Sequence, residues 1–167
     1  WFLPNFFAFL WDTIYLPVAY VKFFINKITY KQNIILSEKF DEKSNIAIVC
    51  GFNKHISISL KNLIEGLVKN SIKIFFLSNK NIDKEFEEYL KSKCNIIMIR
   101  SNFGADIGAY KYGLDYLFKN KIKFENLYIV NDSLVYHSSI KHIFKYLNKK
   151  ENKVIGLFEN YFMHYHI

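Results

Sequence analysis

From Asn45 onward the chain alternates short, continuous apolar runs with stretches whose apolar residues recur at helical spacing. The runs are Ile46-Ala47-Ile48-Val49-Cys50, Ile74-Phe75-Phe76-Leu77, Ile96-Ile97-Met98-Ile99, Leu127-Tyr128-Ile129-Val130 and Val154 to Phe158. Short runs of β-branched and aromatic residues bounded by polar ones predict strands covered on both faces. Between the first two, Ile56, Leu60, Leu63, Ile64, Leu67 and Val68 fit one face of a helix, with Ser57 or Ser59 as N-cap. Asp83 caps a second helix that turns Phe86, Tyr89 and Leu90 inward. A third starts near Asp106 or Ile107 and runs through Leu114, Leu117 and Phe118. A fourth starts at Ser138 with Ile140, Ile143, Phe144 and Leu147 inward. Five strands alternating with four helices predict an α/β class, with a Rossmann-like, mostly parallel sheet, right-handed crossovers and helices on both faces.

Two stretches precede this domain, which spans residues 45–167. Residues 29–44 carry Lys31, Glu38, Lys39, Asp41, Glu42 and Lys43 and read as a polar linker. Residues 1–28 are rich in aromatic residues, and from Trp1 to Val21 they hold one charged side chain, Asp12. Pro4 and Pro17 interrupt that apolar stretch, so an unbroken helix long enough to span a bilayer is not expected. The stretch also lacks the basic start and small-residue cleavage site of a signal peptide. It fits a helix packed on the domain surface or an amphipathic helix lying in a membrane interface. The abundance of Trp and Phe, with Lys22 and Lys27 nearby, favours the interface.

Composition narrows the function classes. A chain of 167 residues with 51% hydrophobic and 23% charged residues can bury a core and is neither disordered nor a bundle of spans. The net charge of +8 suits a phosphorylated ligand or acidic head groups. The lysines are scattered and no nucleic-acid motif is present, so nucleic acid is not expected as a partner. Cys50 and Cys94 lack metal or redox spacing and read as free, buried thiols of a cytosolic protein. The histidines likewise show no metal-ligand spacing.

In a parallel sheet, ligands bind off the carboxyl ends of the strands. The residues that end the strands here are Phe52-Asn53, Ser78-Asn79, Arg100-Ser101-Asn102 and Asn131-Asp132-Ser133. The richest is the stretch from Arg100 to Gly113, which holds Gly104, Gly108 and Gly113, half of the chain's 6 glycines. A glycine-bearing turn into a helix N-terminus is an anion site, because free N–H groups and the helix dipole favour phosphate. Arg100, Asn102, Asp106 and Lys111 add polar groups to it. The same residues also fit an ordinary turn with Asp106 as N-cap. Asp132 could hold Mg²⁺ or Mn²⁺ against a nucleotide diphosphate, since hard cations take carboxylate and phosphate oxygens. The plainer alternative is an Asx turn.

The pattern Arg-x-Asn-x-Gly-x-Asp-x-Gly-Ala-x-Lys at 100–111, followed by an apolar strand closing on Asn131-Asp132-Ser133, resembles the rhamnan synthesis protein F family of bacterial sugar transferases. The resemblance covers about residues 45–167. The tail, from Gly156-Leu157-Phe158-Glu159 to His164-Tyr165-His166-Ile167, looks like the start of that family's next block, so the chain is expected to be truncated at its C-terminus. The resemblance implies a GT-A-like glycosyltransferase. It would move rhamnose or a similar sugar from a nucleotide-sugar to a surface polysaccharide or lipopolysaccharide. Asn131, Asp132 and Ser133 would stand where many such enzymes carry Asp-x-Asp, with Asp132 as metal ligand. Arg100, Asn102, Gly104, Asp106 and Lys111 would line the nucleotide-sugar pocket, with Arg100 or Lys111 on phosphate and Asp106 instead on sugar hydroxyls. Phe52 and Asn53 would meet the base, and Glu159 would be the general base. The acceptor would be a saccharide or lipid-linked saccharide at the inner face of the cytoplasmic membrane. The alternative is a non-catalytic nucleotide- or phosphate-binding module that recruits partners at the membrane.

Overall fold

A computed structural model describes residues 13–14, 16–28, 31–38, 40 and 43–132. The helix expected from Ser138, the strand expected at Val154 to Phe158, and the residues Ser133 and Glu159 lie outside the described residues. The elements are α1 (Leu16–Ile28), β1 (Gln32–Ser37), β2 (Ser44–Gly51), α2 (Ile58–Lys69), β3 (Lys73–Ser78), α3 (Lys84–Lys91), β4 (Ile96–Arg100), α4 (Ala105–Lys119) and β5 (Phe124–Asn131). The five strands form one sheet in the order β1-β4-β3-β2-β5. β4, β3, β2 and β5 run parallel, and β1 pairs antiparallel with β4.

In β2, β3 and β4 the apolar runs are strands because nearly every residue is buried on one side or the other; β5, expected to be covered on both faces, leaves Ile129 48% exposed among the described residues. Ala47, Val49, Ile74, Phe76 and Ile97 face one core with Leu60, Leu63, Ile64 and Leu67 of α2 and Phe86 and Leu90 of α3. Their neighbours Ile46, Ile48, Cys50, Phe75, Leu77, Ile96 and Met98 face a second core with Ala109 and Leu117 of α4. The side-chain period of two along a strand thus feeds two separate layers. The caps are in place: Ser57 Oγ accepts from the Leu60 N–H at 3.1 Å and Asp83 Oδ1 from the Phe86 N–H at 2.8 Å.

The chain steps from β2 to β3 to β4 in one direction, then jumps back across β2 to place β5 on its far side. A right-handed crossover puts its helix on one face for the first direction and on the opposite face for the return. This is why α2 and α3 share a face and α4 packs on the other. α4 sits close to the sheet because Gly113 carries no side chain. A Cβ there would stand 3.0 Å from the Cδ1 atoms of Ile48 and Leu77.

One stretch differs from its sequence reading. Residues 29–44 read as a linker, yet Gln32–Ser37 forms the edge strand β1. Its Ile34-Ile35-Leu36 trio is short, and its pairing is supplied by the open edge of β4, a long-range partner that local polarity does not reveal. The helix start also shifts: α4 begins at Ala105 after Gly104 as N-cap, so Asp106 stands inside the first turn and does not cap it.

Among the described residues no helix is long and apolar enough to cross a membrane. α1 nevertheless exposes Val18, Tyr20, Val21, Phe24 and Ile25, each by more than half. Its Phe23 ring packs on Phe103 with centroids 4.8 Å apart.

Gly113→Val should wedge α4 off the sheet and lower stability by about 1–3 kcal/mol, the usual cost of overpacking. Denaturant unfolding followed by circular dichroism checks this.

Candidate functional site

The reversal of direction makes the carboxyl ends of β2 and β5 the switch point of the sheet, the place where open α/β sheets bind ligands. The polar residues that end the strands meet there. The Phe52 N–H and Asn53 Nδ2 both donate to Asp132 Oδ2, at 2.9 and 3.1 Å. The Asp132 N–H donates back to the Cys50 carbonyl at 2.9 Å. Asp106 reaches the same strand ends from the first turn of α4. Its Oδ1 accepts from the Cys50 thiol at 3.7 Å and its Oδ2 from Asn131 Nδ2 at 3.4 Å. Asp106 and Asp132, far apart in sequence, therefore both flank Cys50.

The network continues across the other strand ends. Asn79, just past β3, donates through Nδ2 to Cys50 Sγ at 3.3 Å and accepts from Arg100 Nη1 through Oδ1. Arg100 is only 3% exposed. It also donates to the carbonyls of Phe103 and Ala105, so its guanidinium holds the turn that leads into α4. The turn bends tightly enough to need positive φ at Gly104 (75°) and Ala105 (47°). A Cβ on Gly108 would collide with the Phe103 carbonyl oxygen, so glycine is required for the turn to fold back over α4.

The environment sets the charge states. Burial, then the charge and hydrogen bond of Asp106, push the Cys50 thiol up to about 12, so it stays protonated at neutral pH and serves Asp106 as a donor. Tyr110 stands one turn beyond Asp106 on the same face of α4. Its hydroxyl is raised above the usual tyrosine range by burial first and then by Cys50, Asp106 and Asp132. Tyr110 thus borders the rim as a neutral hydroxyl.

Not every expected residue joins this rim. Lys111 is five residues from Asp106, roughly 140° around the helix, and pairs with Asp115 on the opposite flank. Asn102 is exposed in the turn, and Arg100 is committed to the turn's own carbonyls. Phe52 and Asn53 bond Asp132, which fixes the β2 and β5 ends together. Asn79, a strand-end candidate given no role in the sequence reading, joins the network, and two residues that reading left out, Cys50 and Tyr110, join it as well. Asn79 was visible as a strand-end residue and Tyr110 by its four-residue spacing from Asp106. Nothing local distinguishes Cys50 from a core thiol.

Among the described residues no group of three or more His, Cys, Asp and Glu side chains is gathered as a metal site. The rim supplies two carboxylates, and a hard cation there would need oxygens from a phosphorylated ligand as well.

No family model matches the chain, and no solved structure matches it. The chain is 30% identical over 71 residues to uncharacterized protein y4gN of Sinorhizobium fredii, which covers 42% of this chain and 18% of that protein. It is 29% identical over 101 residues to virulence protein VirA of Vibrio anguillarum, covering 58% of this chain and 33% of the relative. The chain thus spans a third or less of the length of the curated relatives it matches.

Alkylation of Cys50 in the folded chain should be very slow at pH 8, because the thiol is fully buried and its pKa is pushed up to about 12. Asp106→Asn removes a charge that raises the thiol's pKa and should therefore speed the reaction. Mass-spectrometric mapping of iodoacetamide adducts reads both effects. Arg100→Met should cost about 3 kcal/mol, since it strips a charged donor from buried acceptors. Thermal unfolding measures that loss.

Proposed function

We propose that the chain is the nucleotide-sugar-binding part of a GT-A-like glycosyltransferase related to the rhamnan synthesis protein F family. The observation that carries this reading is the meeting of Asp106 and Asp132 at the switch point, beside the N-terminus of α4. A nucleoside diphosphate sugar needs a place for its diphosphate, and the first N–H groups of α4 have no side-chain acceptor from Gly104. Asp132 and Asp106 border that place, where a divalent cation bound with the diphosphate would neutralise charge on the departing group. Asn131 and the Cys50 thiol hold Asp106 in one rotamer, and Phe52 and Asn53 do the same for Asp132. Preorganised charges of this kind act without reorganisation as the bond to the sugar breaks. The Tyr110 hydroxyl fits a partner for sugar oxygens at the same rim. The exposed apolar side chains of α1 support a location at the inner face of the cytoplasmic membrane, where lipid-linked acceptors lie. The name of the Vibrio anguillarum relative specifies no reaction and adds no weight.

Incubation of the full-length protein with a panel of nucleotide-sugars and Mn²⁺ or Mg²⁺ tests the reading through release of nucleoside diphosphate. Asp132→Ala and Asp106→Ala should each lower release about 100-fold, the scale on which one preorganised group acts. Tight nucleotide binding with no turnover by any donor would instead establish a non-catalytic nucleotide-binding module.

A further inference from the structure

The flank of α4 that turns away from Asp106 carries a second concavity. It is a cleft of about 270 Å³ that includes Phe103, Gly104, Gly108, Lys111, Tyr112 and Asp115 in its lining. Gly104, Gly108, Tyr112 and Asp115 recur at three- and four-residue spacing, so they form one stripe of the helix. The two glycines leave its upper end open, and two aromatic side chains wall it. Phe103 is fixed from two sides: its carbonyl by Arg100 and its ring by Phe23 of α1.

The charges on this cleft decide what it accepts. Arg100 lies in its floor, but it is 3% exposed and its guanidinium already donates to Asn79 and to the carbonyls of Phe103 and Ala105, so the charges open to a ligand are Lys111 and Asp115, an ion pair on the lip, 75% and 61% exposed. An anion arriving at Lys111 would meet the carboxylate of Asp115 beside it, so the pair gives phosphate little attraction. A neutral polyol is different, because each hydroxyl both donates and accepts and can use a lysine and a carboxylate together. Aromatic walls suit the C–H faces of a pyranose, and a few polar groups at one side fix its orientation. The volume lies just under the range of roughly 300–1,000 Å³ typical of drug-sized pockets, which fits one ring and not two.

We propose that the Phe103–Tyr112 cleft is a saccharide subsite that binds one neutral pyranose ring, gripping its hydroxyls with Lys111 and Asp115. That the ring belongs to the acceptor glycan rests on the transferase reading; the binding itself does not. Lys111 then serves a sugar and not the diphosphate, and the subsite lies on the opposite flank of α4 from Asp106, meeting the proposed diphosphate position only at Gly104.

Saturation-transfer NMR on the full chain with methyl pyranosides of rhamnose and glucose tests the subsite. Saturation should reach the ring C–H protons. Lys111→Met and Asp115→Asn, both at exposed positions that leave the core intact, should each weaken binding about tenfold, as loss of one hydrogen bond to a charged group does. Asp132→Ala and excess inorganic phosphate should leave the pyranoside signal unchanged. Absence of transfer to the native chain, equal binding by Asp115→Asn, or displacement by phosphate would overturn the subsite. Nucleoside diphosphate binding, titrated calorimetrically on the same samples, separates the two ideas. Nucleotide binding without pyranoside binding removes the subsite alone. Pyranoside binding without nucleotide binding leaves the subsite standing and removes the transferase reading.

Discussion

A buried guanidinium organises this molecule. Arg100 ends a strand at 3% exposure, and a charge taken out of water must be met by oriented dipoles or it costs several kcal/mol. Asn79 supplies one, and the carbonyls of Phe103 and Ala105 supply two more. To present those carbonyls the chain has to curl back on itself immediately after β4. The curl demands the left-handed backbone at Gly104 and Ala105 and the missing side chain at Gly108. It also sets the direction in which α4 leaves. Everything at the rim follows: α4 crosses to the far face, Gly113 lets it settle on Ile48 and Leu77, and Asp106 arrives opposite Cys50.

The same interaction links strand ends that have no contact in sequence. Arg100 holds Asn79, Asn79 holds the Cys50 sulfur, and the Cys50 thiol meets Asp106, which Asn131 bonds from β5. Hydrogen bonds in a partly dry setting reinforce one another, and a network with all members satisfied rigidifies the groups it contains. No buried side-chain nitrogen or oxygen lacks a partner among the described residues. A carboxylate held this way keeps its orientation before any ligand arrives, which is the property a binding rim for a charged, hydroxyl-rich molecule needs. The two flanks of α4 then differ in kind. One faces the rim with Asp106 and Tyr110, and the other carries aromatic walls and a self-neutralised ion pair.

Much of this was legible from residues alone. The continuous apolar runs marked β2, β3 and β4 because a strand buried on both faces leaves no polar position for local alternation to hide, and β5 was marked by the same kind of run although it is only partly covered. The serine and aspartate caps of α2 and α3 were legible because capping is a contact between near neighbours. The clustering of polar residues at strand ends was legible because the residue that closes each apolar run marks that strand's carboxyl end. β1 was missed, since three apolar residues in a polar stretch become a strand only when β4 offers an open edge. Cys50 was missed for a similar reason: its role depends on Asn79 and Asp106, which lie 29 and 56 residues away.

From β2 to β5 the order of elements, their boundaries to within a few residues and the parallel pairing were determined by sequence, because they rest on periodicity and on contacts a few residues long. Tertiary structure alone decided that Arg100 faces inward to its own turn, that Lys111 points to the far flank, and that Asp106 and Asp132 both flank Cys50. Those outcomes hang on how the α4 crossover reverses across β2. A reversal of that kind is fixed by packing summed over two whole cores, and no short window of the chain contains it.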